Sequence, residues 1–189
     1  LWRASRFGLS GQLIDIGRLR LRAGPEVLGE LLEHVRPVLE ARGEWEGVLA
    51  RARERMIEDL RSEGMPLSRA AATATRLLDL GYFRIGSDAY ADANGSFGLT
   101  TLERRHVRRV NGDLVFSFVG KSGIEHSITI SDPHVIDSLN LMRKRRGGSA
   151  RLLAYRGEAR WADLDASAVN AYISQMVHED LTAKDFRTW

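Results

Sequence analysis

Apolar and polar positions change their period several times along the chain. Within residues 1–24, Leu19 and Leu21 alternate with Arg18, Arg20 and Arg22, the two-residue period of a half-exposed strand. From Val27 the spacing turns helical. Leu28, Leu31, Leu32, Val35, Val38 and Leu39 recur on one face, and Pro37 ends or kinks that helix. A second helix carries Trp45, Val48, Leu49, Ala52, Met56 and Leu60 until "EGMP" breaks it. A third runs from about Ser68 through Ala71, Ala74, Leu77 and Leu78.

The middle of the chain reads differently. "HVRRV" and "DLVFSFV" flank Asn111-Gly112, a pair suited to a type I′ turn because both central residues take positive φ. A second turn, "GKSG" at 120–123, leads into "IEHSITI", which again alternates. Three antiparallel strands are expected over about 106–130. Asp132 and Pro133 then supply an N-cap and a first helical residue. That helix closes on "RKRRGG", with cations at its C-terminal pole and glycine beyond. Val169, Tyr172, Ile173, Met176 and Val177 mark a helix over about 166–178. Thr182 with Asp185 resembles a capping box opening a terminal one. The pattern therefore predicts a mainly α protein with a small three-stranded antiparallel sheet (α+β): helices over 27–80, sheet over about 106–130, helices over 133–189.

Composition narrows the chemistry. With 43% hydrophobic and 28% charged residues, the chain is ordinary for a globular protein. The absence of cysteine excludes disulfides, thiolate metal sites and a cysteine nucleophile. No apolar run approaches membrane-spanning length, and no signal-peptide core opens the chain. The net charge of +3 matters less than its clustering in "ERRHVRR" and "MRKRR", although such runs are commonly solvated faces.

Most motif candidates fail on inspection. "VGKSG" ends like a phosphate loop, but that pattern needs glycine where Val115 stands, and the segment joins two strands. A hairpin tip with an exposed lysine is the simpler account. His34, His106, His126, His134 and His178 show no paired metal spacing. No nucleophile-elbow pattern supports serine hydrolysis, and the few aromatics sit at core-like spacing rather than as a base-stacking platform. What remains is "GYFRIGSDAYADANGSFGLTTLERRHV", in which Arg84 precedes a glycine-punctuated loop. Arg84 is either a functional cation or a structural arginine neutralising a buried carboxylate.

Three blocks together, "FRIGSDAYADANGSFGLTTL", "FSFVGKSGIEHSI" and "LTAKDFRTW", resemble the catalytic domain of type IB DNA topoisomerases, specifically the short poxvirus-like bacterial branch. The resemblance is close from about Leu77 to Trp189 and looser back to Val27. It does not reach residues 1–24. It implies a DNA breaking–rejoining catalytic core over 25–189, with the family's β-rich clamp domain either absent or reduced to residues 1–24. The family's first catalytic arginine falls on Arg84, its hairpin lysine on Lys121 and its second arginine on Arg187. Tyr90, Thr101 and Lys184 match positions near the DNA backbone. The family's histidine and nucleophilic tyrosine follow the second arginine. Here Tyr82, Tyr90, Tyr155 and Tyr172 all precede Arg187, so the chain is expected to be an internal piece of a longer enzyme, without a nucleophile and inactive alone.

The resemblance further implies duplex DNA as partner, no ATP, metal or other cofactor, a monomer, and a cytoplasmic, nucleoid-associated location. A tyrosine recombinase or integrase is the alternative from the same fold. Recombinases usually carry histidine three residues before the second arginine, where this chain has Lys184. A non-catalytic DNA-binding helical domain is the alternative from another class.

Overall fold

A computed structural model describes residues 12–16, 19–23, 47–86, 95–177 and 182–184. It divides into two units, Leu1–Val48 and Leu49–Trp189. In the first, β1 (Gln12–Ile16) and β2 (Leu19–Ala23) form an antiparallel hairpin that pairs Ile14 with Leu21. The alternation seen at 19–22 thus falls on a strand. The helix expected from Val27 lies outside the described residues.

The second unit is built around α2 (Leu67–Asp79). Its run of Ala70, Ala71, Ala72 and Ala74 is buried, with Leu77 and Leu78. Small side chains let neighbouring elements come close on several sides of the helix. Thr73 and Thr75 are buried too, and each hydroxyl donates to the carbonyl four residues earlier, at 2.8 and 2.9 Å. Helix α1, seen over 47–60, lays Ala52, Met56 and Leu60 inward, and Met56 and Leu60 cluster with Ala72. An ion network ties three helices. Arg53 and Arg76 both pair with Asp79, and Arg76 Nε also reaches Asp132 at 3.0 Å.

The three-stranded sheet has the order β3 (Val107–Val110), β4 (Asp113–Val119), β5 (Glu125–Ile130), antiparallel throughout. Asn111 and Gly112 take φ of 51° and 99°, as the Asn-Gly pair anticipates. Leu114, Phe116 and Ile130 face the core. Helix α3 (Pro133–Lys144) opens on Asp132, whose carboxylate accepts from the N–H groups of His134 and Val135. Helix α4 (Ala166–Met176) is capped by Asp165 in the same manner. Among the described residues the architecture is mainly α with a small antiparallel sheet, as the pattern implied. None of these helices is long and apolar enough to cross a membrane.

Two features depart from the sequence expectation. A further hairpin, β6 (Ala154–Arg156) with β7 (Trp161–Asp163), follows α3. At three residues each, these strands are too short to show a period. Arg145, within the run expected to crown the helix as a solvated cation, is 6% exposed. Its guanidinium donates to the carbonyls of Met142, Leu152, Ser149 and Arg151, and so fastens the loop after α3. Of the expected terminal helix, Ala183 and Lys184 are helical and residues 185–189 lie outside the described residues.

Candidate active site

Gly81, with φ of +78°, ends α2 and turns the chain into an exposed segment. Side chains then alternate: Tyr82 is 53% exposed, Phe83 is buried, and Arg84 is exposed again. Arg84 therefore points away from the core beside Tyr82. An arginine neutralising a buried carboxylate would itself be buried, so the exposure of Arg84 favours a surface role.

Residues 95–101 fasten this segment. Leu99 N–H donates to the Arg84 carbonyl at 2.7 Å, and Thr100 donates to the Ile85 carbonyl through both N–H and hydroxyl. Gly86 and Gly98 meet backbone to backbone there, leaving no room for a Cβ on either. On its other side the loop reaches the sheet, where Phe97 N–H donates to the Val119 carbonyl at 2.8 Å. That bond extends the ladder of β4 past the end of β3, up to the turn that carries Lys121.

The turn is tight. Lys121–Gly123 form a single 3-10 turn, with Ser122 and Gly123 at φ of 66° and 74°. Gly120 N–H donates to the Ile124 carbonyl at 2.7 Å. Lys121 stands exposed at the tip. Phe83, the chain neighbour of Arg84, packs edge-on to Phe116 at 5.0 Å and stacks on Phe118 at 6.0 Å.

Arg84 and Lys121 consequently line the same cleft, an open concavity of about 320 Å³ floored by Gly86, Phe97 and Gly98. Both also line an adjoining hollow of about 210 Å³ walled by Tyr82, Phe97, Phe118 and His126. None of the described residues lining either hollow is a carboxylate. Two cations lining one concavity suit an anion, and the paired donors of a guanidinium suit a phosphate.

The remaining candidates fall as follows. Thr101 is 5% exposed, and its hydroxyl both accepts from Gly98 N–H and donates to the Gly98 carbonyl. It braces the cleft floor rather than facing solvent. Lys184 is exposed, next to buried Ala183, whose N–H donates to Asn170 of α4. Tyr90 and Arg187 lie outside the described residues.

Sequence reasoning missed Tyr82 and His126 as neighbours of the cleft. The Tyr-Phe-Arg alternation and the pairing of His126 opposite Phe118 were the signals. His106 borders a third concavity with Arg105 and Phe97. Its Nδ1 accepts from Glu103 N–H at 3.0 Å, and burial, aided by Arg105 and opposed by Glu103, pushes its pKa down.

Comparison with known proteins gives four findings. A family model described as "Eukaryotic DNA topoisomerase I, catalytic core" matches residues 40–189. DNA topoisomerase 1B of Acanthamoeba polyphaga mimivirus is 32% identical over 111 residues, which is 56% of this chain and 32% of that protein. A putative glutamate–cysteine ligase 2-2 of Mycolicibacterium smegmatis is 36% identical over 80 residues, covering 42% of this chain and 20% of that protein. These matches thus span about a third or less of the relatives' length. Among solved structures, XerH site-specific recombinase bound to difH substrate in a pre-cleavage complex aligns at a TM-score of 0.45 with 16% identity. That alignment covers 71% of this chain and 38% of the recombinase.

Proposed function

Because the chain belongs to the eukaryotic DNA topoisomerase I catalytic-core family, we propose that it carries the charge-stabilising part of a type IB topoisomerase active site. The observation that supports this most is the meeting of Arg84 and Lys121 on one cleft, from segments distant in sequence. Within the family, the chain is assigned to the short poxvirus-like bacterial branch, working as a monomer on chromosomal DNA. The β1–β2 hairpin lies outside the family match, which begins at residue 40.

In the proposed reaction a tyrosine oxygen attacks a DNA phosphodiester in line with the leaving 5′-oxygen. The new P–O(Tyr) bond forms as the P–O5′ bond breaks, giving a 3′-phosphotyrosine and a free 5′-hydroxyl strand that swivels. Religation runs the same steps backwards, and the bond energy stays in the protein–DNA link, so the cycle needs neither ATP nor metal. Negative charge grows on the non-bridging oxygens in the transition state. Arg84 and, by its match to the family's second arginine, Arg187 offer paired N–H donors that never lose their charge. Lys121 can give up a proton, which suits it as general acid to the 5′-oxygen. Tyr90 and Lys184 contact flanking phosphates and set position rather than sequence preference. Thr101 serves by holding Gly98 and the cleft floor in place.

Plasmid relaxation tests the proposal. The chain joined to a C-terminal segment bearing the family's histidine and tyrosine should relax supercoiled DNA without ATP and in the presence of chelator. It should also leave a denaturation-resistant protein–DNA adduct. Neither product from a folded, DNA-binding enzyme would overturn the assignment.

A further inference from the structure

The turn that carries Lys121 rests on a stack of three rings. Phe83 and Phe118 stack with centroids 6.0 Å and planes 13° apart, and Phe118 stacks in turn on His126 at 5.0 Å and 19°. Register produces this order, since Phe118 and His126 are paired residues of β4 and β5. Phe83, at the other end, is the chain neighbour of Arg84. The stack thus runs from the segment bearing one cation to the turn bearing the other.

Its outer ring abuts the turn. A Cβ on residue 120 would fall 2.5 Å from His126 Nε2 and 2.6 Å from Cδ2. The Gly120 backbone is extended, with φ of −95°, which any residue adopts. The space at residue 120 is therefore limited by the ring and not by the backbone. Lysine itself offers no rigidity, because its four-carbon stem is flexible. The point at which the turn leaves β4 sets where that stem starts, and His126 sits against that point.

We infer that His126 is a positioning residue for Lys121, setting the turn so that the ammonium group overhangs the cleft shared with Arg84. This deepens the proposed function and rests on it for its catalytic consequence. Reacting groups displaced by about 1 Å can lose on the order of 100-fold in rate, so a packing contact behind the turn reaches the chemistry.

The test has two arms. In the 189-residue chain, amide NMR shifts of residues 120–123 are compared between the parent, His126→Ala and His126→Gln, with thermal melting alongside. In the enzyme completed by the C-terminal segment, single-turnover cleavage is measured for His126→Ala, Lys121→Ala and the pair together. The inference expects shifts concentrated in the turn and cleavage slowed on the order of 10- to 100-fold. DNA affinity should stay within about twofold. In the Lys121→Ala background, His126→Ala should cost nothing further, because it acts through the lysine. Unchanged turn amides, or a loss that adds fully to that of Lys121→Ala, would overturn it. Should Lys121→Ala cleave as fast as the parent, the role of the lysine fails, while the turn amides still decide the positioning.

Discussion

Gly86 and Gly98 lie back to back beneath the cleft. A Cβ on Gly86 would sit 2.9 Å from the Gly98 Cα, and one on Gly98 would sit 2.6 Å from the Gly86 nitrogen. Both neighbours are backbone, which cannot swing aside as a side chain can. Gly86 also takes φ of +85°, so its substitution mixes steric and conformational costs. Gly98, at φ of −122°, isolates the steric one. The two glycines let the Arg84 segment dock on the loop that leads, through Phe97, to the Lys121 strand. Their contact is the hinge of the site.

Gly98→Ala should therefore destabilise the fold by about 1–3 kcal/mol through overpacking. It should also weaken cleavage by the completed enzyme more than the change in stability alone explains. Chemical denaturation paired with cleavage at a temperature where the variant is folded would check both. A neutral Gly98→Ala would show that the loop moves freely, and that Arg84 is not held by it.

Arg84→Ala is expected to slow cleavage far more than it weakens DNA binding, since its donors act on charge that develops in the transition state. Arg84→Lys should recover only part of the rate, because lysine lacks the bidentate fork. Arg187 should behave alike. Equal losses in binding and cleavage would instead make these arginines ground-state phosphate contacts.

How far the sequence foretells this site follows from the range of each interaction. The Asn111-Gly112 turn and the Asp132 cap are local, and both were legible from a few residues. Arg84 and Lys121 were legible through the resemblance, although nothing in their spacing shows that they meet. Their meeting depends on the Gly86–Gly98 approach and on the Phe97–Val119 bond, both made between segments far apart in sequence. Arg145 was misread for the same reason. Its charge is local information, but the carbonyls that bury it belong partly to residues 149–152, which return to it only in the fold. Thr101 fits the family position, yet its hydroxyl is consumed by Gly98, three residues away.

Acid should loosen the region around His106. Its pKa is lowered from the usual 6.5 by burial first and by Arg105 second. A base whose folded pKa is depressed contributes stability above its unfolded value and loses it as pH falls. Protonation would also remove the Nδ1 acceptor that holds Glu103 N–H. Melting temperature should therefore fall as pH drops below about 6.5. His106→Asn, which keeps an acceptor near Nδ1 without titrating, should flatten that part of the profile. An unchanged profile would assign the acid sensitivity elsewhere.

Tyr172 should be dispensable for chemistry. Its hydroxyl donates to Asp59 at 2.7 Å, joining α4 to α1, and burial together with that bond pushes the phenol well above its usual 10.0. Such a group resists forming the phenolate that attack on phosphorus requires. Tyr172→Phe should cost about 1 kcal/mol of stability and leave cleavage by the completed enzyme intact. Because the folded pKa is raised, the neutral phenol stabilises the fold below about pH 10, and the benefit fades as pH rises further. The variant should lack that alkaline loss. A Tyr172→Phe enzyme that folds but forms no adduct would identify Tyr172 as a reactive group after all.

The 189-residue chain alone offers the most direct separation of binding from chemistry. It contains Arg84 and Lys121 on a cleft without described carboxylates, while its four tyrosines all precede Arg187. Phosphate contacts displace counterions, so duplex binding should be weak, indifferent to sequence and lost steeply as salt rises. Removing one contact, by Arg84→Ala or Lys121→Ala, should lower the slope of log affinity against log salt by about 1. The chain should neither relax plasmid nor form a covalent adduct. Of its tyrosines, Tyr172 is tied to Asp59, whereas Tyr82 is exposed and lines the hollow beside both cations. Relaxation by the chain alone would therefore point first to Tyr82. Loss of that relaxation in Tyr82→Phe would replace the positional argument for a downstream nucleophile with one built on this residue.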